Sequence, residues 1–191
     1  MRVISGYLKG RKLFFPERTK RLRATKDIVR EAIFDSLRGW IVEKRVLEIF
    51  AGTGALGIEA ISHGAKEVIF LEEDREAINC IKRNIEHLGI SELCTIRKGK
   101  VEHSIEEFLD EKFDLIIADP PYDYPSGKII QILNKIMELQ VLDDDGIILI
   151  EHNRKNLLPE IKGFTVYKEK TYGKSIVSYI RRSNNSEVIK Q

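Results

Sequence analysis

Val46-Leu-Glu-Ile-Phe-Ala-Gly-Thr-Gly-Ala-Leu-Gly-Ile-Glu-Ala60 is the stretch from which the rest of the chain can be read. A short apolar run broken only by Glu48 gives way to Gly52, Gly54 and Gly57, and then to helical spacing through Ile58 and Ile61. This is the pattern of a strand, a tight turn and a helix start. Glycine at such a turn permits positive φ and lets a bound molecule come close to the backbone. The turn is therefore a place to hold a nucleotide.

The G-x-G-x-x-G spacing alone fits a nicotinamide dinucleotide as well as S-adenosyl-L-methionine. Two carboxylates sharpen it. Glu48 precedes the turn, where it can face a ligand carrying an ammonium group and would repel a pyrophosphate. Glu72 closes the next apolar run, Val68 to Leu71, 20 residues after Gly52. In doubly wound folds that place accepts hydrogen bonds from ribose hydroxyls.

Outward from this stretch, apolar and buried-helix patterns alternate. A short hairpin is expected from Arg2–Tyr7 and Arg11–Phe15 around Lys9-Gly10. A basic loop follows, then a helix with Thr25 as N-cap, the stripe Val29, Ile33, Leu37 and Trp40 or Ile41, and Gly39 at its end. Trp40 beside that stripe reads as core packing. Asp74 and Gly89 bracket a helix with Ile78, Ile81, Ile85 and Leu88 on its inner face. Strands are expected over 93–96, 113–118 and 147–150, and helices through Val101–Leu109 and Ile129–Ile136. Residues 164–170 and 175–181, joined across Tyr172-Gly173-Lys174, read as an antiparallel hairpin.

The alternation implies an α/β fold of Rossmann-like type: a mostly parallel sheet with right-handed crossovers, helices on both faces and an antiparallel C-terminal hairpin. The expected division is a basic N-terminal hairpin extension (1–24), one catalytic domain (25–182) and a polar tail (183–191).

At 191 residues, 42% hydrophobic and 32% charged, the chain has the balance of a soluble globular protein of one core. It holds no apolar run near the roughly 20 residues needed to span a membrane, and its first residues lack a secretory core, so a cytoplasmic location is expected. Cys80 and Cys94 read as free thiols, and the four histidines lack metal-ligand spacing, so no metal is expected. Net charge is +2, yet residues 1–30 carry ten Lys or Arg against two acids. That imbalance is the footprint of a polyanion partner.

Asp119-Pro-Pro-Tyr122 directly follows the expected strand 113–118. Ligands of open α/β sheets bind beyond the carboxyl ends of strands, so this tetrad and the glycine turn should open on one crevice. Consecutive prolines remove two N–H groups and fix two φ angles, leaving a stiff loop rich in acceptors. An exocyclic amine on a nucleobase is a poor nucleophile because its lone pair is delocalised. If the Asp119 carboxylate and the Pro120 carbonyl accept its hydrogens, the lone pair can point elsewhere, while Tyr122 stacks on the base.

Glu48-Ile-Phe-Ala-Gly-Thr-Gly54 with Asp119-Pro-Pro-Tyr122 resembles the class I S-adenosylmethionine-dependent methyltransferases that act on exocyclic amines. Together with Arg2-Val-Ile-Ser-Gly6, Gly10-Arg-Lys-Leu13, Leu22-Arg-Ala-Thr25, Val29-Arg-Glu-Ala-Ile-Phe34 and Tyr172-Gly173, the chain resembles the RsmD family of small-subunit ribosomal RNA guanine-N2 methyltransferases. The resemblance implies a seven-stranded sheet and methyl transfer to N2 of a guanine in 16S rRNA, within naked RNA or an assembling small subunit, by a monomer. It assigns Asp119, Pro120 and Tyr122 to the target base, and Glu48, Phe50, Gly52, Gly54 and Glu72 to the cofactor. Arg11, Lys12, Arg21 and Arg23 would grip RNA phosphates. Lys100 departs from the pattern, standing where an acid or amide is usual near the adenine. On the residues alone, N6 of adenine, a protein glutamine amide, a nicotinamide-dependent oxidoreductase and a non-catalytic RNA-binding protein remain open.

Overall fold

A computed structural model of the chain describes residues 1–15, 27–121, 123–154, 158 and 160–183. Helix α1 (Asp27–Ser36) leads into β1 (Arg45–Ile49), α2 (Ala55–Ser62), β2 (Glu67–Glu72), α3 (Arg75–Leu88), β3 (Cys94–Lys98), α4 (Val101–Ser104), β4 (Phe113–Ala118), α5 (Ser126–Glu138), β5 (Leu142–Asn153), β6 (Phe164–Tyr172) and β7 (Ser175–Arg182). The strands form one sheet in the order β3-β2-β1-β4-β5-β7-β6. The first five strands are mutually parallel, and β7 enters antiparallel between β5 and β6. The order reverses between β1 and β4, which makes the carboxyl ends of those strands the topological switch point.

Each face of the sheet carries its own apolar layer. Val46, Val68, Phe70, Leu115 and Ile117 pack toward the side of α1, α2 and α3, while Leu47, Ile69, Ile116 and Ile148 pack toward α4 and α5. This burial on both faces explains why β1, β2 and β4 read as near-continuous apolar runs rather than alternating ones. The stripe Val29, Ile33, Leu37 and Ile41 is buried as its spacing requires, and Trp40 packs against the same layer. The Asp74 side chain accepts from the Ala77 N–H at 2.8 Å, and Gly89 ends α3 in the left-handed region.

Four local expectations are corrected. Strand β5 begins at Leu142, five residues before Ile147. The helix after Lys100 stops at Ser104 and continues as a 3-10 turn over Ile105–Phe108, so Leu109 lies exposed instead of on the inner face. Leu93 ends a 3-10 turn rather than opening β3. Helix α1 ends at Ser36, and Gly39, at φ 80°, belongs to the turns that follow.

The N-terminal hairpin is held by one antiparallel bridge, Arg2 to Lys12, with the Val3 N–H donating to the Arg11 carbonyl at 3.0 Å. Most of its anchorage is to α2. The Ile4 N–H donates to Glu59 Oε1 at 2.6 Å, the Tyr7 N–H to the Ser62 carbonyl at 2.9 Å, and the Leu8 N–H to Ser62 Oγ at 3.0 Å. A Cβ on Gly6 would stand 1.9 Å from that Ser62 carbonyl, so only glycine permits this approach. Val3, Leu8 and Leu13 join the layer over α2, which makes the extension continuous with the main core. The expected boundary at 24/25 and most of the expected tail lie outside the described residues.

Candidate active site

The turn after β1 is built from left-handed backbone. Phe50, Gly52 and Gly54 have φ of 58°, 56° and 72°. For Phe50 this conformation costs roughly 1–2 kcal/mol, and its ring is held edge-to-face against Tyr124 with centroids 4.9 Å apart. Gly54 caps α2, and Gly57 lies inside that helix at its closest approach to the sheet. A Cβ there would fall 2.5 Å from Phe70 Cε1 and 2.7 Å from Glu48 Oε2.

Glu48 is 3% exposed, and its Oε2 accepts from the Gly57 N–H at 2.8 Å. Burial pushes its carboxyl up to about 8, opposed by the backbone bonds from Gly57 and Leu56 and reinforced by the nearby charges of Asp119 and Glu72. Through its bond to Gly57 the carboxyl sits against the N-terminal turn of α2. That is the position where a pyrophosphate would bind in a dinucleotide fold.

Glu72 stitches the turn to the next strand. Its Oε2 accepts from the Gly52 N–H at 2.7 Å, and its Oε1 from the Glu73 and Asp74 N–H groups, both at 2.9 Å. A carboxylate offers about four lone-pair sites, so capacity remains for a hydroxyl.

Asp119, Pro120 and Pro121 leave the end of β4 directly beside β1, since Ala118 pairs with Ile49. The Tyr124 N–H donates to the Pro121 carbonyl at 2.8 Å and closes the loop. Tyr122 lies outside the described residues.

The glycine turn and the double-proline loop open on one cleft of about 870 Å³. Glu48, Phe50, Gly52, Glu72, Asp119 and Pro120 all line it, and Gly54 stands just behind, against Phe70. The cleft also takes in residues to which the sequence reading assigned no role: Phe15 from the N-terminal extension, Tyr124, Glu151–Asn153 at the end of β5, and Lys174 from the β6–β7 turn. Phe15 and Tyr124 could have been suspected only as aromatics near loops. Glu151 carried no local signal. Gly99 lines the cleft but Lys100 does not, and Lys100 is exposed at the N-terminus of α4.

Besides Glu48, five acidic side chains, from Glu72, Glu73, Asp119, Asp123 and Glu151, line this space against Lys174. Such a field favours a cationic ligand and disfavours a polyphosphate.

Arg11 and Lys12 are exposed on the hairpin and do not line the cleft; the Arg11 guanidinium donates to the His87 carbonyl at 3.1 Å. Arg21 and Arg23 lie outside the described residues. Cys80 and Cys94 are free thiols, and burial pushes Cys94 up to about 12. Among the described residues no group of three or more His, Cys, Asp or Glu could hold a metal ion, and no helix is long and apolar enough to cross a membrane.

A seven-stranded sheet with a single reversed strand, and a cleft shared by the loops after β1 and β4, define the class I methyltransferase fold. The solved structure of Escherichia coli YhhF superimposes with a TM-score of 0.82 at 29% identity, covering 95% of this chain and 97% of that one. The chain belongs to the family described as conserved hypothetical protein 95, the RsmD family, which matches residues 1–181. It is 37% identical over 185 residues to Bacillus subtilis YlbH, covering 95% of this chain and 99% of that relative. It is 34% identical over 168 residues to the ribosomal RNA small subunit methyltransferase D of Buchnera aphidicola, covering 88% and 86%.

Proposed function

We propose that the protein transfers a methyl group from S-adenosylmethionine to the exocyclic N2 amine of a guanine in small-subunit ribosomal RNA. The observation that carries this reading is the shared cleft: the acceptor-rich Asp119-Pro120 loop and the glycine turn face the same space. Relatives named as small-subunit ribosomal RNA methyltransferases support the substrate class.

The residues present fit the cofactor. It is a cation, and the cleft is lined by acidic side chains, with the nearly fully buried carboxyl of Glu48 able to release its proton when a cation binds. Glu48 would meet the ammonium end, Glu72 the ribose hydroxyls, and Phe50, Gly52 and Gly54 would shape the wall between. The same Glu48 argues against a dinucleotide, because it already takes the α2 N–H at Gly57 that a phosphate would need.

Bound there, S-adenosylmethionine would supply a methyl group on positively charged sulfur, with a neutral thioether that keeps the C–S electron pair as its leaving group. The chain's own residues prepare the acceptor. Asp119 and the Pro120 carbonyl take the two amine hydrogens, which localises the nitrogen lone pair and aims it into the cleft. As the N–C bond forms the nitrogen gains positive charge, and the Asp119 carboxylate stabilises it and accepts the departing proton. Tyr122 stacks on the base. The extension, through Arg11, Lys12, Arg21 and Arg23, holds RNA phosphates, with the target base turned out of its stack. The protein acts as a monomer on 16S rRNA, in an assembling subunit or free.

The test is transfer of labelled methyl from S-adenosylmethionine to unmethylated small-subunit particles and to free 16S rRNA, followed by nucleoside mapping. N2-methylguanosine at one position is expected. Label appearing only in adenine or in ribosomal protein would refute the substrate assignment, and tight nicotinamide binding without affinity for S-adenosylmethionine would refute the enzyme class.

A further inference from the structure

Strands β4 and β5 run parallel, and their last registered pair is Ala118 with Ile150. One step further stand Asp119 and Glu151, neighbours at the mouth of the cleft that both line. Glu151 is half-buried, and its Oε2 is fully buried with no hydrogen-bond partner among the described residues. Across β7 it faces Val177, which has no side-chain donor to offer. The next residue behaves differently. His152 bonds Ser178 Oγ at 2.8 Å, and that hydroxyl donates to Glu169 Oε1 at 2.7 Å, so its polar demand is met within the sheet. A buried carboxylate oxygen without a donor is costly unless a ligand supplies one.

The donor it awaits follows from the chemistry of the base, on the reading that Asp119 and Pro120 hold a guanine N2 amine. Guanine carries N1–H next to that amine on the same edge. A 2-aminopurine carries the same amine beside an N1 lone pair. We infer that Glu151 accepts the guanine N1–H and is the residue by which the site tells guanine from bases that share its amine but lack that hydrogen. The pair is a charge-assisted hydrogen bond, and a lone pair in place of the N–H would be repelled by the carboxylate. A site built around a donor rejects a ligand that lacks it far more strongly than an apolar pocket rejects a change of size.

The experiment uses the full chain and particles reconstituted with RNA carrying either guanine or 2-aminopurine at the position mapped with the unaltered protein. Failure to find any N2-methylguanosine in that first mapping would overturn the underlying reading and this assignment with it. Given a mapped guanine, the unaltered protein should methylate the 2-aminopurine RNA at least about tenfold more slowly. Glu151→Gln keeps an acceptor for the guanine N1–H in its amide oxygen but, turned over, donates its N–H to the N1 lone pair of 2-aminopurine, so it should gain on 2-aminopurine and compress the ratio by at least about tenfold. Calorimetric binding of S-adenosylhomocysteine within about twofold of the unaltered protein would show that the cofactor half of the cleft is intact. Equal rates of the unaltered protein on the two RNAs would overturn the assignment without recourse to any variant. A Glu151→Gln protein that keeps the original ratio would overturn it as well, while leaving guanine methylation itself standing.

Discussion

Replacing Gly57 with alanine puts a single methyl group at the tightest contact between α2 and the sheet. The added Cβ would lie 2.5 Å from Phe70 Cε1, 2.7 Å from Val68 Cγ1 and 2.7 Å from Glu48 Oε2. Two of these neighbours are fully buried side chains of β2, and the third is tied to the Gly57 N–H, so none can swing away freely. Overpacking of this kind costs about 1–3 kcal/mol. Displacing Glu48 from its bond adds about 1 kcal/mol, and the better helix propensity of alanine returns about 1 kcal/mol. The net loss is about 2 kcal/mol, a fall in melting temperature of roughly 4–8 °C for a chain of this size. Gly127, in α5, provides the contrast: nothing lies within 4 Å of its Cβ position, so Gly127→Ala should be neutral or stabilising by up to about 1 kcal/mol. Thermal and urea denaturation of both variants gives the comparison. A Gly57→Ala protein as stable as the parent would refute the claim that close approach, rather than turn geometry, demands glycine there.

Glu48 makes stability depend on pH. Its carboxyl is raised from 4.5 to about 8, so the folded state holds a proton that the unfolded chain releases; its contribution is fully present below pH 4.5 and is lost as pH rises through about 8. Glu48→Gln should flatten the denaturation midpoint across that window, and a parent protein whose midpoint does not fall relative to the variant would contradict the assignment. A cation binding beside Glu48 should also expel that proton, so calorimetry of S-adenosylmethionine binding near pH 7 in buffers of different ionisation enthalpy should register proton release, and the Glu48→Gln protein should not. Asp119→Ala is expected to abolish methyl transfer while S-adenosylhomocysteine affinity is largely kept; unchanged turnover would remove Asp119 from the chemistry. Substituting Arg11 and Lys12 together by glutamine should weaken RNA binding and lower the slope of log affinity against log salt by between one and two, with filter binding across salt concentrations as the measurement.

What the sequence revealed and what it withheld divide along local and non-local lines. Strand β4 is legible to the residue over Phe113–Ala118 because it is buried on both faces, and α3 is legible because Asp74 and Gly89 punctuate it in the chain itself. Strand β5 is misread at its start because Asp143, Asp144 and Asp145 look like a loop; they form an irregularity in the strand between Leu142, which pairs with Phe113, and Ile147, which pairs with Leu115. In the site, the glycine turn and the proline tetrad could be found because each is a contiguous motif. The bond from Gly57 to Glu48 could not be found that way, since it depends on how closely α2 packs against the sheet. Glu151 is one carboxylate among many until the β4–β5 register sets it next to Asp119, and Phe15 reads as half of a hairpin until the extension docks on α2 and α3.

The insertion of β7 between β5 and β6 constrains how this polypeptide can mature. Residues 175–182 are synthesised after every other strand of the sheet, yet Val177 and Tyr179 complete one apolar layer and Ile180 the other. Until they emerge, Ile148 to Ile150 form an open, sticky border that invites intermolecular pairing. The complete sheet instead ends on β6, where the exposed Glu169 stands between the part-buried Lys168 and Lys170. A nascent chain halted before Ser175 would thus be a substrate for chaperones or proteases, whereas one completed to Arg182 has every strand between β3 and β6 flanked on both sides.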